Sequence, residues 1–150
     1  MNAIQQFEAI LPFLKELKDV KNDELFFRPI SEGKWSSAAI VAHLYFWDQY
    51  IQNERLPLML KLSDVPPGGI DIQQFNKEAE SFAHSGIGKV ELIEKFISNR
   101  KNLIEVLAIV DLHKEFAIKD HKLTIEKYFL DMAEHDEHHM KQITSVYNIR

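Results

Sequence analysis

A chain of 150 residues with 45% apolar and 27% charged content is large enough to bury one continuous core and short for two domains. Its 18 Lys and Arg stand against 23 Asp and Glu, and the net charge of -5 argues against nucleic acid or anionic lipid as a main partner. With no cysteine there can be no disulfide framework, thiolate nucleophile or Cys-ligated zinc, so any metal must be held by His, Asp or Glu.

Residues 2 to 19 place Ile4, Phe7, Ile10, Leu11, Leu14 and Leu17 at helical spacing, which predicts a first amphipathic helix. Pro12 either kinks it or marks a restart with proline in the first turn. Gln5, Gln6, Glu8, Lys15 and Glu16 interrupt the apolar positions, so this segment lacks the core of a signal peptide, and no apolar run elsewhere reaches transmembrane length. A cytoplasmic location is the expectation. Residues 20 to 35 read as a connection, with Leu25, Phe26 and Phe27 tucked against the core. Ser36 or Ser37 caps a second helix that runs to about Leu62 and bends at Pro57.

The prolines and glycines of Ser63 to Gly69 form a loop long enough to be a crossover. Residues 71 to 83 are weakly helical, and Ser85, Gly86 and Gly88 break the pattern. A third helix spans Lys89 to about Val110, with Ile93, Phe96, Leu103 and Leu107 on its apolar face. A polar connection containing His113, Asp120 and His121 leads to Thr124, which caps a fourth helix carrying Ile125, Phe129, Met132, Ile143 and Tyr147. Four helices with apolar stripes imply an all-α four-helix bundle in a single domain, with one long crossover.

The candidate chemistry lies in the histidines. The stripe of the second helix holds Ile40, His43, Leu44, Trp47, Ile51 and Leu58, so His43 occupies an aliphatic position and must find a partner. Taken alone it is most simply a core imidazole bonded to a carbonyl or carboxylate. In the fourth helix, His135 and His139 project within about 40° of each other, one turn apart, near the stripe through Met132 and Ile143. This spacing lets two rings reach one ion from a rigid helix. Three core-facing histidines favour a shared divalent metal over three separate hydrogen-bonded imidazoles, although a metal-free hydrogen-bond network is the other reading. His138 points away, and His84, His113 and His121 fall in connections, where solvation or local bonding is expected. Glu134, Asp136 and Glu137 either orient an imidazole or form the solvent face. Trp47 and Tyr50 either wall a pocket or are plain core, and Trp35 reads as a hydrophobic staple.

Two segments, Gly33-Lys34-Trp35-Ser36 leading to Ala42-His43-Leu44 and His135 through Ile143, resemble the signature regions of the DinB-like superfamily. Phe75-Asn76 and Ser98-Asn99-Arg100 resemble weaker features of the same family, which includes YfiT-type metal-dependent hydrolases and bacillithiol and mycothiol S-transferases. The resemblance implies a four-helix bundle with a long crossover, frequent homodimers, and a nickel, zinc or similar ion held by His43, His135 and His139. It identifies no catalytic residue. Three imidazoles leave a coordination position open for water or substrate, the arrangement of catalytic zinc sites. The expectation is therefore a metal-dependent enzyme acting on a small molecule, either transferring a low-molecular-weight thiol as co-substrate or hydrolysing its substrate. The alternative is a non-catalytic metal-binding or stress-associated dimeric module.

Overall fold

Asn2 opens the first helix with a capping box, its side chain accepting from the Gln5 N–H at 2.9 Å while the Gln5 side chain accepts from the Asn2 N–H at 3.2 Å. Of the chain, the computed structural model describes residues 2–147. The periodicity over residues 2 to 19 emerges as two segments, α1 (Ala3–Glu8) and α2 (Ile10–Asp19), joined at Ala9. Pro12 stands in the first turn of α2, where it cannot donate to the Glu8 carbonyl, so the restart is the reading that holds. Ala9 stays right-handed helical at φ -60 and ψ -23, and the apolar stripe of Phe7, Ile10, Phe13, Leu14 and Leu17 runs on buried.

A short α3 (Asp23–Phe27), capped by Asn22, follows, and of its three apolar residues Phe26 is buried while Leu25 and Phe27 are half-buried. Ser36 is the cap of α4 (Ser37–Tyr50), accepting from the Ala39 N–H at 3.0 Å. Every residue from Ser37 to Leu44 is buried, so α4 is the central helix of the bundle. The bend expected at Pro57 is instead a π turn over Ile51–Arg55 before α5 (Leu56–Lys61), with the Leu56 N–H bonded to the Ile51 carbonyl. Pro57 lacks the N–H that Asn53 would need, and the wider turn makes room for its ring. The extra residue also moves the core face, so that Leu56 and Met59 are buried and Leu58 is only half-buried.

The crossover segment pairs with a later strand, the Val65 N–H donating to the Ala117 carbonyl at 2.7 Å. Next, α6 (Ile72–Ala83), capped by Asp71, lies along α4. Then α7 (Lys89–Leu107) crosses α4, α2 and α1, ending three residues before the expected Val110. Lys89 is buried and closes the end of α2, its ammonium donating to the Leu17 carbonyl at 3.1 Å and to the Val20 carbonyl.

The polar connection after α7 is a β-hairpin, β1 (Glu115–Ile118) against β2 (His121–Thr124), with Glu115 opposite Thr124 and Ile118 opposite His121. Its two-residue turn has Lys119 and Asp120 at φ 50 and 66, the geometry that matches strand twist, but without the Asn-Gly or Asp-Gly pair that advertises it in sequence. Phe116 anchors the hairpin in the core. Finally α8 (Ile125–Tyr147), capped by Thr124, returns against α1, α2 and α4. No described helix is long and apolar enough to cross a membrane.

Candidate metal centre

The docking of α8 on α4 brings His43, His135 and His139 together, with one ring nitrogen of each within 4.8 Å of the others. Ring centroids are 5.6 Å apart for His43 and His135, 5.0 Å for His43 and His139, and 4.6 Å for His135 and His139. Among the described residues no carboxylate joins the cluster.

Two amides set the rings. His43 Nδ1 donates to Asn76 Oδ1 at 3.0 Å, and His139 Nδ1 donates to Gln142 Oε1 at 2.7 Å. Each bond fixes the proton on Nδ1 and leaves the Nε2 lone pair facing the cluster. Asn76 comes from α6, which is why this helix, weak in sequence, matters to the site. Burial first, then the neighbouring imidazoles, lower the His43 pKa to about 4 against the opposing bond from Asn76. His139 is likewise lowered to about 4, chiefly by burial, and His135 is lowered by burial and by His138. All three rings are therefore neutral near pH 7, the state that ligates.

Without a cation this arrangement is poorly satisfied. His43 Nε2 is buried without a hydrogen-bond partner, and the Nε2 atoms of His135 and His139 lie 3.3 Å apart; His135 Nδ1 is also buried without a partner, which an ion on the Nε2 atoms would not relieve. That spacing is close to the edge, roughly 3.4 Å, of a tetrahedron with bonds of about 2.1 Å. The donor set and its unpartnered nitrogen thus fit a divalent ion.

Beside the cluster lies a cavity of about 450 Å³, walled by Trp47, Ile72, Tyr128 and Met132 together with His43 and His135. Trp47 is thus a pocket wall, while Tyr50 packs edge-on against it with ring centroids 5.6 Å apart. The Trp35 ring centroid lies 5.1 Å from that of His43, the two rings tilted at 53°. Exposed His113 and His121 take no part; exposed His138 is outside the ligand set, with its ring centroid 5.3 Å from that of His139, and His84, also exposed, bonds Ser36 Oγ at 2.9 Å across 48 residues.

Asp136 corrects the sequence reading. It is buried on α8 and neither faces solvent nor orients an imidazole; it accepts from Arg100 at 2.8 and 3.2 Å. Fully buried Arg100 also donates to Asp48 at 2.6 and 3.0 Å and to the Phe7 carbonyl at 2.9 Å, so all five N–H groups are used. Its guanidinium stacks on Phe7, 3.7 Å from the ring centroid. The hub joins α1, α4, α7 and α8 one turn from the histidines. A signal existed: Asp48 continues the stripe Ile40–Leu44, Arg100 follows Phe96, and Asp136 follows Phe129 and Ala133. Asn76 had no such mark in the apolar spacing, and only the resemblance of Phe75-Asn76 to the family pointed to it.

Comparison with curated proteins gives no match. Among solved structures, YfiT from Bacillus subtilis, described as a probable metal-dependent hydrolase with an unusual four-helix bundle topology, is similar at a TM-score of 0.72. It is 21% identical, the similarity covering 97% of this chain and 84% of that one, and it shows the shared fold. The family model of the DinB superfamily matches residues 6–143, most of the chain, and the protein belongs to the DinB superfamily.

Proposed function

We propose that the protein is a metal-dependent enzyme in which the Nε2 atoms of His43, His135 and His139 hold one divalent ion, zinc or nickel, and that its substrate is a small molecule. The observation that carries this reading is the buried, unpartnered Nε2 of His43, turned toward two further imidazoles by the bond from its Nδ1 to Asn76. A bound divalent ion would supply Lewis acidity that makes a water or a thiol nucleophilic near neutral pH. The chain itself supplies neutral rings, those of His43 and His139 in fixed tautomers, an apolar wall of Trp47, Ile72 and Met132 that limits water, and the Trp35 ring beside His43. With three protein ligands and a cavity beside them, an enzyme is favoured over a closed structural site.

The reaction proposed is transfer of a low-molecular-weight thiol to an electrophile or hydrolysis of a small substrate, two chemistries that share the activated nucleophile. Elemental analysis of protein purified without a His tag, then assays of the loaded protein with small thiols plus an electrophile and with simple esters, separates them. The expected result is one metal per chain and one of the two activities, lost in His43→Ala with the fold kept. Stoichiometric metal with neither activity would overturn the enzymatic reading in favour of a binding module, and absence of metal would overturn both.

A further inference from the structure

Asn76 uses half of its amide on His43. Its Oδ1 accepts from His43 Nδ1 at 3.0 Å, and that bond also fixes which way the amide faces, because turning it over would set N–H against N–H in the tautomer that leaves Nε2 free. The Nδ2 atom carries two further N–H groups. These have no hydrogen-bond partner among the described residues, and the atom is open rather than sealed in the packing.

Asn76 also lines the cavity onto which His43 and His135 open. Gln142, which orients His139 in the same way, lines a different hollow, with Trp35 and Lys34. Of the other polar residues on the first cavity's wall, Tyr128 lies two turns before His135 on α8, roughly 10 Å along the helix axis. Asp131 is exposed and paired with Lys127 at 2.6 Å. Among the described residues no lysine or arginine lines this cavity. The polar group in contact with the cluster is therefore a neutral donor, with no cation beside it to draw in a carboxylate or phosphate.

We propose that Asn76 contacts the substrate as well as orienting His43, its Nδ2 donating to the carbonyl oxygen of a neutral compound attacked at the histidine cluster. This rests on the metal reading of the three histidines, and it narrows the substrate to a carbonyl compound whether the nucleophile is water or a thiol. An amide nitrogen donates and does not accept, so it selects an oxygen acceptor. As the bond from nucleophile to carbonyl carbon forms, the π pair of the carbonyl passes to its oxygen. An N–H already held in place strengthens against that charge without having to reorient.

The test separates the donor from the acceptor. Asn76→Asp keeps an oxygen for His43 Nδ1 and removes the N–H groups, and Asn76→Ala removes both without adding charge. Wild type and variants, saturated with zinc, are titrated calorimetrically with acetohydroxamate, which bears a carbonyl oxygen, and with ethanethiol, which reaches a metal through sulfur alone. Both probes bind as monoanions, so the charge added in Asn76→Asp weighs on both alike. Relative to ethanethiol, acetohydroxamate should weaken tenfold or more in both variants, while zinc affinity falls in Asn76→Ala and is kept in Asn76→Asp. An equal change for the two probes in either variant would overturn the contact and leave Asn76 an orienting residue, and the alanine variant carries the test even if the other misfolds. Failure of zinc-loaded wild type to bind either probe would instead sink the metal reading, and this inference with it.

Discussion

Arg100 on α7 grips Asp136 on α8 through both terminal nitrogens, at 2.8 and 3.2 Å, and Asp136 stands between His135 and His139 on the same helix. The rotation of α8 that presents both rings is thus pinned by a bidentate ion pair almost wholly withdrawn from water. Since Arg100 also holds Asp48, one turn from His43, both halves of the candidate centre are referred to one side chain.

Breaking that hub is expected to be expensive. Arg100→Ala removes one cation and leaves two carboxylates buried without it, so a loss of about 3–5 kcal/mol is expected in chemical denaturation. Replacing all three residues together by apolar residues of similar volume is expected to cost much less, because no uncompensated charge remains. A triple variant as unstable as the single one would contradict this account.

Asn76 and Gln142 are expected to matter through the rings they orient. Asn76→Ala or Gln142→Ala frees Nδ1 of a ligand and is expected to weaken zinc binding about 10–100-fold with circular dichroism unchanged. Competition with a chelating dye measures this directly. Wild-type affinity in both variants would show that the amides do not hold the tautomers.

Asp48 should leave a mark on the pH dependence of stability. Two carboxylates share one guanidinium in a dry site, and burial, opposed by Arg100, raises the Asp48 pKa from 3.8 to about 6. The folded state therefore binds a proton between about pH 6 and 4 that the unfolded state does not. This contribution is fully present below the unfolded pKa and is lost as pH rises through the folded one. Wild type should accordingly gain on Asp48→Asn by up to about 3 kcal/mol as pH falls from 6 to 4, a shift of roughly two pKa units. Parallel stability curves in urea across that range would refute it.

Metal should stabilise the fold, because the unfolded chain scatters the three histidines. At 100 times the dissociation constant, zinc is expected to add about 2.7 kcal/mol, and a chelator to remove it. Differential scanning calorimetry of wild type and His139→Ala checks this, with no zinc-dependent rise of the melting temperature expected in the variant.

Much of this molecule can be read along the chain. The apolar spacing in residues 89–107 and 125–147 marks two long helices, Ser36 and Thr124 mark caps, and the offsets of His43, His135 and His139 mark candidate ligands. The hairpin was missed because Lys119 and Asp120 adopt positive φ without glycine, and the π turn because one added residue changes no composition. Asp136 was misjudged because a carboxylate among Glu134 and Glu137 looks solvated until Arg100 is found 36 residues away.

Periodicity and capping are properties of a few successive residues, so the helical character of the chain and the inward turn of its three histidines were already present in the linear order of side chains. The pairing of Arg100 with Asp48 and Asp136, the delivery of Asn76 to His43 and the cavity beside His43 and His135 exist only once the helices dock. Their partners are separated by dozens of residues, and what joins them is the energy of packing, in which a buried charge or ring nitrogen is tolerated only where a distant element brings its complement.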